Sequence, residues 1–93
     1  MNTKKPSWIK FLLKSPENQK LLAQEEAILQ VTETICQLMD EQNVSKADLA
    51  SMMNTNTRNI TKILNGERNL TIREISDIFF YLKHNTEINA NKR

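Results

Sequence analysis

The chain has 93 residues, of which 39% are hydrophobic and 26% charged, and a formal net charge of +2. That length makes one domain, and a chain of this size buries only about 60–65% of the surface that its unfolded form exposes. One Cys excludes a disulfide scaffold and a four-Cys zinc site and fits a reducing, cytoplasmic setting, while one Gly and two Pro favour helix over sheet.

Residues 1–14 carry Lys4, Lys5, Lys10 and Lys14 without an acid, around Trp8, Ile9, Phe11, Leu12 and Leu13. Lys10 and Lys14 interrupt the apolar stretch and no small-residue cleavage site follows, so a secretory signal does not fit. No run approaches the ~20 apolar residues of a membrane span. A short amphipathic helix docked on the domain is expected here, in preference to a helix lying on a membrane surface.

Ser15-Pro16-Glu17 reads as a helix start, with a capping hydroxyl, Pro at the first helical position and an acid in the first turn. Leu21, Ile28, Val31, Ile35 and Leu38 then keep one apolar stripe to about Glu41, and Asn43 can take a left-handed stop. Cys36 lies beside that stripe and is expected to be a buried structural thiol, since no second Cys can resolve it.

Ser45 and Asp48 resemble a capping box opening a short helix from roughly Lys46 to Met53, which buries Leu49, Ala50 and Met53. Asn54-Thr55-Asn56 must turn the chain. A further helix is expected over Thr57–Leu64, burying Ile60, Ile63 and Leu64 and ending at Asn65-Gly66, where a left-handed residue is most often needed.

Thr71 and Glu74 form a second capping box, opening a helix to about Lys83. Its periodicity puts Ile72, Ile75, Phe79 and Leu82 on one face, with Ile78 at the edge. Phe80 and Tyr81 point away from that face and need cover, from a partner subunit or from the N-terminal arm. Residues 84–93 read as a polar tail.

Charge is segregated along the chain. Residues 15–43 carry Glu17, Glu25, Glu26, Glu33, Asp40 and Glu41 against Lys20, whereas residues 44–73 carry Lys46, Arg58, Lys62, Arg68 and Arg73 against Asp48 and Glu67. The basic middle suits an anionic partner. Two short helices around a three-residue turn, with polar residues opening the second, are the helix-turn-helix arrangement.

The runs Ser45-Lys46-Ala47-Asp48-Leu49-Ala50 and Asn59-Ile60-Thr61-Lys62-Ile63-Leu64-Asn65-Gly66-Glu67-Arg68-Asn69-Leu70-Thr71 resemble the Cro and phage-repressor class of DNA-binding domains, the XRE family. The resemblance covers about Ile28 to Leu82. It implies an all-α, lambda-repressor-like bundle, with an arm over 1–14, the helix-turn-helix domain over 15–83 and a tail over 84–93. Asn54 stands where the family usually has Gly, and Thr55 replaces an apolar residue, so a less well packed turn is expected. The family's fifth helix has no counterpart after Lys83, and the arm carrying Trp8 and Phe11 is a candidate to replace it.

The resemblance places base contacts on Thr57, Arg58, Thr61 and Lys62, where an Arg forked onto guanine is worth ~1–3 kcal/mol of discrimination. Lys46, Asn56, Arg68 and Asn69 are the phosphate-contact candidates. Asn59 lies near the buried side and Asn65 at the helix end, which disfavours both as readers of adenine. Phe80, Tyr81, Trp8 and Phe11 are the dimer-interface candidates. No cofactor, metal site or enzymatic activity is expected: there is no Gly-rich phosphate loop, and His84, the only imidazole, reads as a surface residue.

Three functions follow as expectations. The first is a repressor that binds double-stranded DNA as a homodimer on an inverted repeat. The second is an antitoxin that also captures a toxin, because the N-terminal extension and long acidic helix before the helix-turn-helix are similar to HigA-type antitoxins. The third is a protein-interaction module without DNA binding.

Overall fold

The computed structural model describes residues 15–92. Among them are four helices, α1 (Pro16–Gln42), α2 (Lys46–Met52), α3 (Thr57–Leu64) and α4 (Ile72–Tyr81), and no strand. The all-α expectation holds. The chain divides into two compact units, Met1–Gln30 and Val31–Arg93, with the division falling inside α1.

In the first unit, the Ser15 hydroxyl caps α1 by accepting from the Asn18 amide at 3.1 Å. Leu21, expected on the buried stripe, is instead exposed. The expected arm, with Trp8 and Phe11, lies outside the described residues.

The second unit holds the core. Ile35, Leu49, Ile60, Ile63, Ile78 and Leu82 are fully buried, with Leu38, Met39 and Ala50 beside them. All four helices contribute, and Val31, Val44, Met53, Leu64, Leu70 and Phe79 pack around the edge. Cys36 is exposed, contrary to expectation. Leu38 and Met39 flank Ile35 on the helix surface, whereas Cys36 lies about 100° round from Ile35 and falls outside their arc.

The same geometry corrects the reading of α4. Its buried face centres on Ile78 and Leu82, so Ile72, about 100° from that centre, is exposed rather than buried. Ile75 and Phe79 are half-buried, and Phe80 points away from the core.

Helix starts follow the side-chain chemistry. Ser45 Oγ accepts from the Asp48 amide at 3.0 Å while Asp48 Oδ2 accepts from the Ser45 amide at 3.0 Å. Thr71 and Glu74 repeat the exchange at 3.1 and 3.0 Å. Both boxes read from the sequence are therefore formed.

Helix ends share one device. Asn43, Asn54, Gly66 and Lys83 all have positive φ, at 55°, 55°, 72° and 62°. After each helix, one amide reaches back five residues: Val44 to Met39, Thr55 to Ala50, Glu67 to Lys62 and His84 to Phe79, all within 3.0 Å. The residue before it bonds three back, which completes the paired closure of a Schellman motif. Gln42 Nε2 and His84 Nδ1 also donate to the Leu82 carbonyl, at 2.6 and 2.7 Å, so the end of α4 is tied to the end of α1.

Lys83 is the one left-handed cap that is neither Gly nor Asn. Lys83→Gly is expected to raise stability by about 1 kcal/mol, read as a higher Tm, because the Cβ penalty of the left-handed region is removed. Ile60→Ala is expected to cost about 2–5 kcal/mol in a denaturant titration, a large share of what so small a core can supply.

Candidate nucleic-acid interface

α2 and α3 pack against each other. Leu49 and Ala50 are the buried residues of α2 and share the core with Ile60 and Ile63 of α3. Asn54 reverses the chain between them in the left-handed conformation that Gly would otherwise supply.

Thr55 is half-buried, and its Oγ1 accepts from Asn59 Nδ2 at 3.2 Å. Where Thr55 in place of an apolar residue leads one to expect a less well packed turn, a hydrogen bond ties the turn to α3. It also occupies the Asn59 amide within the protein. Asn56 caps α3 by accepting from the Asn59 backbone amide at 2.8 Å through Oδ1. The Asn56 amide nitrogen remains a donor.

On α3, Ile60 and Ile63 face the core. At about 100° per residue the opposite side carries Arg58, flanked by Thr61 and Lys62, with Thr57 in the first turn. Thr57, Arg58 and Lys62 are exposed, while Thr61 is half-buried at the margin. One short helix thus presents a cation-bearing polar face directly behind its apolar one. Lys46 opens α2 and is exposed, as is Asn69 in the loop between α3 and α4.

Arg68, in the same loop, is not a freely solvated cation. Its Nη2 lies 2.6 Å from Glu74 Oε2. The pairing was not legible in the sequence, because six positions across an irregular loop carry no periodic signal. From the sequence, Glu74 reads only as a cap. Its carboxyl is held below its ordinary value by the Thr71 backbone hydrogen bond first and the Arg68 hydrogen bond second. Asp48 is likewise lowered, chiefly by the Ser45 backbone hydrogen bond and then by the Ser45 hydroxyl.

Phe80 and Tyr81 meet edge to face, their ring centres 5.8 Å apart, and Phe80 is 72% exposed. Arg73, in the first turn of α4, is a further exposed cation that the sequence reading did not assign to the site. No helix among the described residues is long and apolar enough to cross a membrane.

A capped helix behind a tight turn, with its polar face outward, is the form of a helix-turn-helix DNA-binding domain. Residues 34–86 match the family of Cro/C1-type HTH DNA-binding domains, and the chain belongs to that family. The chain is accordingly a DNA-binding transcription regulator. No curated protein and no solved structure matches it.

The capping carboxylates make stability pH-dependent. Glu74 and Asp48 have ordinary values of 4.5 and 3.8, and folding lowers both. Their stabilisation is full above those ordinary values and is lost as pH falls through the lower folded ones. Urea midpoints are expected to drop between about pH 6 and about pH 3, and Glu74→Gln should shrink that drop.

Proposed function

We propose that the chain is a sequence-specific repressor that acts as a homodimer on an inverted-repeat operator in the cytoplasm, without a cofactor. The observation that carries this reading is the placement of Arg58 on α3, opposite Ile60 and Ile63, so that burying the helix's apolar side leaves this guanidinium outward. Arg58 donates to guanine O6 and N7. Thr57, Thr61 and Lys62 fill the neighbouring base positions.

Lys46, Asn56, Arg68 and Asn69 hold phosphates on either side of the groove and set the register of α3. Asn56 suits this role because its oxygen is taken by the cap, which leaves only a donor for the anion. The working domain is residues 15–83.

One recognition helix reads only ~4–5 base pairs, which is too few to define a site, so two copies are required. Phe80 and Tyr81 supply the apolar surface for that pairing, with Trp8 and Phe11 as further candidates. A second reading keeps the DNA-binding role and adds a toxin partner. It is favoured by the way α1 begins at Pro16, well before the family match at residue 34, and exposes Leu21, Glu25 and Glu33 there.

A gel shift with DNA upstream of the chain's own gene tests the first reading. Arg58→Ala is expected to lose about 1–3 kcal/mol of specific affinity, roughly 5- to 150-fold, while nonspecific binding changes little. Equal loss on all sequences would make Arg58 a phosphate contact only. Sedimentation of the chain and of Phe80→Lys tests the dimer, since the substitution is expected to leave a monomer. Co-purification with the product of the adjacent gene tests the toxin reading.

A further inference from the structure

We propose that Glu74 is a positioning residue for DNA binding: its carboxylate holds the Arg68 guanidinium in place for a backbone phosphate. The inference rests on the reading of Arg68 as a phosphate contact and deepens it.

The loop between α3 and α4 is pinned at both ends. At the first, the Gly66 and Glu67 amides close α3 onto Ile63 and Lys62. At the second, Thr71 caps α4, and Leu70 packs against the core just before it. Arg68 is the basic side chain of this span.

Glu74 divides its two oxygens between the pinned backbone and that side chain. Oε1 accepts from the Thr71 amide at 3.0 Å, and Oε2 meets Arg68 Nη2 at 2.6 Å. The carboxylate is therefore fixed by the helix start, and the guanidinium is fixed by the carboxylate. An arginine has five N–H donors, so this contact leaves others for an anion. Arg68 keeps 38% of its side-chain surface exposed, which provides the approach. Ordering it before binding removes a conformational cost that would otherwise fall on the complex.

Simple electrostatics predicts the opposite sign. An acid beside a phosphate repels it, so a Glu74 without a positioning role should weaken DNA binding, and its neutralisation should tighten it. Glu74→Gln separates the two, because Gln preserves the capping box but removes the charge that holds Arg68.

The probe is a short mixed-sequence duplex at low salt, since phosphate contacts need no particular sequence. Glu74→Gln is expected to bind roughly two- to tenfold more weakly. Arg68→Ala should bind more weakly and lower the salt slope by about 1. Adding Glu74→Gln to Arg68→Ala should cause no further loss.

Unchanged or tighter binding by Glu74→Gln, with Arg68→Ala still impaired, overturns the positioning role alone. Unchanged affinity and slope in Arg68→Ala overturn the phosphate reading beneath it. A measurement on the free wild-type chain guards against a variant that folds poorly. NMR relaxation should find the Arg68 Nε–H more ordered than those of Arg58 and Arg73, and equal mobility overturns the proposal.

Discussion

The structure depends on reversing the chain between α2 and α3 within a few residues, and Asn54 accomplishes this at φ 55°. Neither helix has the length to persist alone in water, since α2 has 7 residues and α3 has 8. Each is stable only when packed, and the tight turn delivers one onto the other. The left-handed residue costs little as Asn, and the Thr55–Asn59 hydrogen bond secures the far side of the turn. The orientation of Arg58 follows from this arrangement, because the face of α3 that meets the core also determines the face that does not.

The same closure recurs at every described helix end, for a reason tied to size. A small core cannot leave carbonyl groups unpaired at four helix termini without losing much of its stability. Paired backbone bonds after Asn43, Asn54, Gly66 and Lys83 satisfy them locally. Thr57, Arg58 and Lys62 are exposed on α3, whereas the Asn59 amide is committed to the turn, and Asn56 gives its oxygen to the cap while keeping its amide nitrogen as a donor.

Glu74 joins the start of α4 and the loop after α3 in one carboxylate. As a cap it starts α4, whose Ile78 and Leu82 complete the core. As an ion-pair partner it reaches back to the loop that leaves α3. Its depressed ionisation reflects both roles, and places the start of α4 and the basic loop under a single electrostatic control.

Local chemistry was legible in the sequence. Ser15, Ser45 and Thr71 cap helices as their hydroxyls suggested, and Asn43, Asn54 and Gly66 take the left-handed positions. The family register, with its cation-bearing face on α3, was likewise determined, because these signals act within a few residues of one another. Tertiary packing decided the rest. Periodicity names a face but not its centre or width, which is why Leu21, Cys36 and Ile72 are exposed where burial was expected. Lys83 adopts a left-handed cap that its residue type does not announce, beside a Leu82 carbonyl held by Gln42 from 40 positions away. The Arg68–Glu74 pair arises in the same way, from a loop whose two ends are set by different helices, and that geometry exists only once the helices have packed.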